Sequence, residues 1–184
     1  IKSGMTDTVK AFVRHYTSDR VILEIINPET GELLGPGEEG ELVLTNLIRR
    51  AIPRIRIRIS DVAKILPYEP CSCGRTLPKM SSVRGRMVQL INVEGKRFFP
   101  IDAEEVLGDI PDLGYEYQIV RDKPEMDRLK VRVEYKPEVK NLHALSNRIE
   151  EAFHHGLGVR SEVELVALGS LGRALFKAQR MVAA

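Results

Sequence analysis

The stretch Arg54-Ile55-Arg56-Ile57-Arg58-Ile59 alternates an aliphatic with a cationic side chain over six residues. On an extended backbone successive side chains point to opposite faces, whereas a helix repeats every 3.6 residues. The alternation therefore predicts a strand with an isoleucine face toward a core and an arginine face toward solvent. A strand needs partners, and two are at hand. Val21 to Ile26 and Glu41 to Thr45 are rich in β-branched residues and are separated by Asn27-Pro28 and a Gly/Pro loop, a strand-turn-strand pattern. Ala63 to Leu66 reads as a further short strand before the Pro67 to Pro78 loop.

The character of the chain changes near Arg84-Gly85-Arg86. Val88 to Val93 and Lys96 to Phe99 flank Glu94-Gly95 as a tight hairpin, and Pro100 opens a helix from about Asp102 to Leu107. Tyr117 to Val120 and Leu129 to Tyr135 read as strands. Asn141 caps a helix with a stripe of Leu142, Leu145, Ile149, Ala152 and Phe153, ended by Gly156. Glu162 to Val166 is the last expected strand. The fold class is α+β: a β-rich segment over residues 1–84, followed by a small two-layer α+β domain over 85–184.

With 184 residues, 43% of them hydrophobic and 29% charged, the chain has material for one core or two small ones. A net charge of +2 does not single out nucleic acid as a partner. The basic run of Arg49, Arg50, Arg54, Arg56 and Arg58 reads as a solvated strand face. No apolar run approaches the ~20 residues of a membrane span, so a cytoplasmic protein without a membrane partner is expected. The chain opens on Ile1 rather than Met, as the visible part of something longer would. Cys71 and Cys73 are one residue apart, which makes a mutual disulfide strained and leaves a metal clip or two reduced thiols. The Gly35-Pro36-Gly37-Glu38-Glu39-Gly40 tract has glycine-loop spacing, but Pro36 lacks an N-H and Glu38 and Glu39 repel phosphate. It reads as a hairpin connection. His143, His154 and His155 read as solvated helix positions.

Three tracts occur in a telling order: Gly4-Met5-Thr6-Asp7, then Arg58-Ile59-Ser60-Asp61, then Phe176-Lys177-Ala178-Gln179-Arg180. With Asn27-Pro28-Glu29-Thr30-Gly31-Glu32 and Glu38-Glu39-Gly40-Glu41-Leu42-Val43, they resemble the second half of adenylate-forming (AMP-binding) enzymes of the acyl-coenzyme A ligase superfamily. The phenylacetate-coenzyme A ligase group and the related coenzyme F390 synthetase are the particular likeness. The resemblance implies an ATP-dependent ligase that joins a small carboxylic acid, of aryl or arylacetic type such as phenylacetate, to coenzyme A through an acyl adenylate.

It also implies roles for single residues. Lys177 is the catalytic cation, because attack of a carboxylate on a negatively charged α-phosphate is opposed by charge crowding that an ammonium relieves; a solvated tail lysine is the alternative. Asp61 accepts the two ribose hydroxyls of ATP or AMP, with a plain turn residue as the alternative. Thr6 meets the α-phosphate and Asp7 holds magnesium, through a water if its shorter side chain falls short; the alternative is a helix cap. Arg86 contacts the nucleotide at the joint between the two domains. Gly95 lets the pantetheine arm of coenzyme A approach, or is simply a hairpin turn. His15, Cys71 and Cys73 match three ligands of a structural zinc, which wants a fourth.

Departures from the family pattern are Ser3 for an aromatic, Val88 for the hinge Asp, Glu94 for an Arg and Phe176 for a Gly. They motivate two other readings: a degenerate homologue serving as a binding module, and an adenylating enzyme that transfers to a carrier protein or an amine. The phosphate-gripping loop of the superfamily is not among these residues, so the 184-residue chain alone is expected to lack turnover, and whether it forms a homodimer is open.

Overall fold

The computed structural model describes residues 14–172 and 180–183. The architecture is α+β, with two helices and several sheets among the described residues. The chain divides into two compact units, Ile1–Val88 and Gln89–Ala184, and each is taken by itself.

The strands of the first unit are β1 (Arg14–His15), β2 (Val21–Ile26), β3 (Gly40–Asn46), β4 (Ile57–Ala63), β5 (Lys79–Met80) and β6 (Gly85–Arg86). Four of them form an antiparallel sheet in the order β2-β3-β4-β6, and β1 and β5 make a separate ribbon. Ile25, Leu42 and Ala63 are buried at its centre, with Leu23, Leu34, Ile59, Ile65 and Met80 packed against them.

The alternating run behaves differently from its pattern. β4 begins only at Ile57, because Arg56 takes a left-handed φ of 47° and its N-H is held by Thr45 Oγ1 at 2.9 Å. Ile55 is therefore exposed rather than part of an isoleucine face. The strand expected at Ala63 to Leu66 reduces to the end of β4 and a single bridge between Ile65 and Met80.

Gly40 opens β3 under a tight constraint: a Cβ there would lie 2.3 Å from the Ile26 carbonyl oxygen and 2.7 Å from Leu34 Cδ1. Only glycine fits against that backbone.

The second unit contains β7 (Ile91–Val93), β8 (Lys96–Phe98), α1 (Pro100–Gly108), β9 (Leu113–Arg121), β10 (Glu125–Met126), β11 (Leu129–Tyr135), α2 (Leu142–Leu157), β12 (Ser161–Ala167) and β13 (Met181–Ala183). Its main sheet runs β12-β11-β9-β13, and a smaller one runs β10-β7-β8. β11 and β12 are parallel and joined through α2, as parallel neighbours require a crossover. The apolar face of the sheet, with Ile119, Val131 and Val133, packs with Ala103 and Leu107 of α1 and Leu145, Ile149 and Phe153 of α2 in one core.

Helix ends follow local chemistry. Pro100 occupies the first position of α1, and Asp102 Oδ2 accepts the Phe99 N-H at 2.7 Å. The Asn141 side chain accepts the Ala144 N-H at 3.0 Å and caps α2. The helix is not ended by Gly156 but runs to Leu157 and closes on Gly158, whose φ of 68° supplies the left-handed turn. The 88–93 segment is not one strand: Met87–Gln89 is a 3-10 turn and β7 starts at Ile91. β12 is not the last strand, since β13 pairs in parallel with β9 beyond it.

Gly40→Ala is expected to destabilise the protein by about 1–3 kcal/mol, the range for forcing extra volume into a packed site. Urea unfolding followed by circular dichroism measures it.

Candidate functional site

Asp61 does not follow β4, as the sequence suggests, but lies within it beside a bulge. Val43 pairs with Arg58 and Glu41 with Val62, so Leu42 faces three residues, Ile59, Ser60 and Asp61. Ser60 has a φ of 61°, a conformation that costs a non-glycine residue ~1–2 kcal/mol and persists where its surroundings demand it. The demand comes from Glu41, whose Oε1 accepts the Ser60 N-H at 3.2 Å. Its Oε2 accepts from Arg58 Nε at 2.9 Å and also from Nη2. Glu41 is only 3% exposed, and a buried carboxylate is tolerated when paired and hydrogen-bonded in this way. The same bond from Glu41 raises the affinity of the Arg58 guanidinium for its proton.

On the other side of β4, Asp61 is the antiparallel neighbour of Arg86, with Arg86 Nε 3.5 Å from Asp61 Oδ1. The Asp61 side chain is 27% exposed and that of Arg86 60%. Two residues 25 positions apart are thereby brought side by side at the surface by one strand pair. A loose, partly hydrated ion pair of this kind contributes little to stability and yields readily to a ligand offering hydroxyls to the acid and an anion to the guanidinium.

Gly95 sits in the β7–β8 turn with a φ of 76°, after Glu94 at 51°, the two successive left-handed residues of a tight hairpin. Glu94 is not a bare negative charge. Arg160 binds it through Nε at 2.7 Å and through Nη2, and this hydrogen bond holds the carboxyl below its usual range. Val88, which stands where the resemblance implies a hinge Asp, is 74% exposed in the 3-10 turn.

His15, Cys71 and Cys73 are brought together. Pairing of β1 with β5 sets His15 opposite Lys79, just past the cysteine loop. One ligand atom from each of the three lies within 4.8 Å of the others. Cys73 Sγ is 3.3 Å from His15 Nε2 and 3.2 Å from Cys71 Sγ, while His15 Nδ1 lies 3.1 Å from the Leu77 carbonyl oxygen. A carbonyl on Nδ1 leaves Nε2 free to ligate, the usual support for a metal-binding imidazole. The Cys73 thiol is lowered from an ordinary 9.0 to about 6, chiefly by the Arg75 backbone N-H and then by Cys71. A thiolate-favouring pocket of Sγ, Sγ and Nε2 is a donor set suited to zinc.

Lys177, Thr6 and Asp7 lie outside the described residues. The described residues on either side of 173–179 are firmly held. The Leu171 N-H is bound at 2.8 Å by Glu134 Oε1, a carboxylate only 1% exposed. Arg180 pairs with Glu116 at 2.7 Å, its guanidinium carbon lies 4.4 Å from the centre of the Tyr117 ring, and its carbonyl accepts the Ile119 N-H at 2.7 Å. Burial first, then Glu104, pushes the Tyr117 hydroxyl upward. His143, His154 and His155 are exposed, as the sequence suggests.

Arg160 and Glu134 lie outside the tracts that the sequence points to, and Glu41 and Arg180 stand inside such tracts without a role of their own. The available signal was a lone acid inside an apolar strand run, Gly40-Glu41-Leu42-Val43 and Val131-Arg132-Val133-Glu134 alike.

In the metal-free protein, alkylation of Cys73 by iodoacetamide is expected to follow a titration with its midpoint near pH 6, with the reactive thiolate present above it. Mass spectrometry of the Cys73 peptide across pH 5 to 9 measures this; a midpoint near 9 contradicts the geometry.

Residues 95–184 match the family model of the AMP-binding enzyme C-terminal domain. The chain is 33% identical over 172 residues to the phenylacetate-coenzyme A ligase of Aromatoleum evansii, covering 89% of this chain and 38% of that protein. The Thermus thermophilus phenylacetate-coenzyme A ligase is 33% identical over 178 residues, covering 87% and 40%. Among solved structures, 2-hydroxyisobutyryl-CoA ligase in the postadenylation state, in complex with R3-HIB-AMP, superposes with a TM-score of 0.84 at 29% identity, over 91% of this chain and 36% of that one. ATP-bound MatB from Rhodopseudomonas palustris, at 16% identity and a TM-score of 0.61, shares the fold. The chain thus spans about two fifths of the length of the curated relatives it matches. Residues 95–184 thus belong to the AMP-binding enzyme C-terminal domain family, and the chain resembles part of the phenylacetate-coenzyme A ligases over most of its own length.

Proposed function

We propose that this chain serves an ATP-dependent carboxylic acid-coenzyme A ligase of the cytoplasm, acting on an aryl or arylacetic acid such as phenylacetate. The observation that carries the reading is the pairing of Asp61 with Arg86 across β4 and β6 in a chain whose relatives are phenylacetate-coenzyme A ligases. An acid with two oxygens beside a guanidinium suits the ribose diol and the phosphate of an adenylate.

In the first half-reaction an oxygen of the substrate carboxylate attacks the α-phosphorus of ATP. The bond to the bridging oxygen breaks, and pyrophosphate leaves with the electron pair. Asp61 holds the ribose, Arg86 and the Thr6 hydroxyl meet the phosphate, and the Lys177 ammonium neutralises charge as it builds on the transferring group. Asp7 would hold magnesium, which shields the departing phosphates when bound. In the second half-reaction the coenzyme A thiolate attacks the acyl carbonyl and AMP departs. The Glu94-Gly95 turn gives the pantetheine arm a close approach to backbone, and Arg160, by neutralising Glu94, removes the repulsion that a free acid there would exert on a phosphorylated ligand. His15, Cys71 and Cys73 would supply three ligands of a structural zinc that ties β1 to the cysteine loop.

Lys177→Ala, made in the protein as its gene encodes it, is expected to slow pyrophosphate release with phenylacetate by about 10²–10³-fold, the loss typical of one transition-state donor. Retention of the wild-type rate overturns the assignment of that lysine. A wild-type protein that binds a non-hydrolysable acyl adenylate without releasing pyrophosphate identifies a binding module instead. For the metal site, plasma emission spectrometry is expected to find one zinc per chain, lost in Cys73→Ser; a wild type free of zinc after purification in zinc-supplemented medium contradicts it.

A further inference from the structure

The Glu41 carboxylate grips the base of the β4 bulge from two sides, taking Arg58 before it and the Ser60 N-H within it. Asp61 follows Ser60 directly and is the last bulge residue before regular pairing resumes at Val62. Arg58 is itself anchored, since its Nη2 also donates to the Pro28 carbonyl at 2.8 Å. The direction in which Asp61 presents its oxygens is therefore set by the left-handed Ser60, and Ser60 is set by Glu41. A brace for the sheet alone would not need this. The β3–β4 pairing is already made on both sides of the bulge, at Leu44 with Ile57 and Gly40 with Ala63.

We propose that Glu41, acting through Arg58 and Ser60, is a positioning residue that aims the Asp61 carboxylate, and so sets how strongly the protein selects a ribose over a sugar lacking its hydroxyls. The inference rests on the ribose role proposed above for Asp61 and extends it to a buried residue that cannot itself touch a ligand. Two good hydrogen bonds from one carboxylate to a diol require both oxygens within a few tenths of an ångström and about 10–20° of their productive places. A loosened bulge forfeits that alignment while leaving contacts to the phosphate and base intact.

The test compares the affinity of the protein as its gene encodes it for AMP and for 2′,3′-dideoxy-AMP by calorimetry, in wild type, Glu41→Gln, Asp61→Ala and the double variant. Glu41→Gln keeps the shape of the side chain and removes its charge. It is expected to lower the AMP-to-dideoxy affinity ratio by about tenfold while dideoxy-AMP binding changes by less than twofold. In the Asp61→Ala background it is expected to change the ratio no further. Far-UV circular dichroism establishes that each variant is folded, and Arg58→Lys, which keeps the charge and loses the forked geometry, carries the same expectation if Glu41→Gln is not.

If Asp61→Ala abolishes the ratio while Glu41→Gln and Arg58→Lys leave it at the wild-type value, Asp61 reads the ribose and Glu41 does not aim it: the inference falls and the functional reading stands. Equal weakening of both ligands in Glu41→Gln also overturns the inference, since that is the signature of a purely structural brace. If Asp61→Ala itself leaves the ratio unchanged, or the wild type shows no preference, the ribose role of Asp61 fails and this inference fails with it.

Discussion

A buried carboxylate is costly unless it is paired and hydrogen-bonded, and the first unit is organised around one such group. Glu41 enters the middle of a four-stranded sheet at 3% exposure and is answered by a forked guanidinium and a backbone N-H. That arrangement specifies more than its own satisfaction. It ties β3 to β4 at the point where regular pairing lapses, holds Ser60 in a conformation that serine does not choose, and sets the step at which pairing resumes beside Asp61. Removal of Arg58 would strand the buried Glu41 charge in a low-dielectric setting, whereas the half-exposed Arg58 guanidinium would meet water if Glu41 were removed.

The second unit relies on a different economy. Both edge strands of its main sheet come late in the chain: α2 carries the chain over to the parallel strand β12, and β13 returns to lie beside β9. The residues that border the 173–179 segment are each bound to that framework, Leu171 by the buried Glu134 and Arg180 by Glu116 and the Tyr117 ring. The catalytic role proposed for Lys177 thus concerns a segment whose two neighbours are fixed by charge-assisted contacts, the same device that Glu41 uses. In both units a buried acid on a strand accepts a backbone N-H, from Ser60 to Glu41 and from Leu171 to Glu134.

Much of this fold can be read from periodicity and turn chemistry, because those signals are local. Val21–Ile26 and Leu129–Tyr135 have the bounds that their β-branched content suggests, and Asn141 caps α2 through its own side chain. The misreadings occur where a distant partner decides. The Arg/Ile alternation begins at Arg54, but the Thr45 hydroxyl and the left-handed Arg56 delay the start of the strand to Ile57. Gly156 and Gly158 are equivalent as letters, and only the second meets the φ that closes the helix. β10 and β13 are two and three residues long and exist through pairing with β7 and β9, so no window of sequence contains their cause. The candidate site follows the same rule. Cys71 and Cys73 are neighbours in sequence, yet His15 joins them across 58 residues only because β1 pairs with β5. Asp61 is legible as an acid at a strand, whereas the bulge that presents it, and the Glu41 that makes the bulge, depend on a cross-strand contact.

The most direct measurement is a crystal structure of the protein, as its gene encodes it, with a non-hydrolysable phenylacetyl adenylate bound. The account predicts the Asp61 carboxylate within hydrogen-bonding distance of both ribose hydroxyls, with the Ser60 N-H still held by Glu41. An adenylate bound with its ribose away from β4, or an Asp61 still paired only with Arg86, would contradict it.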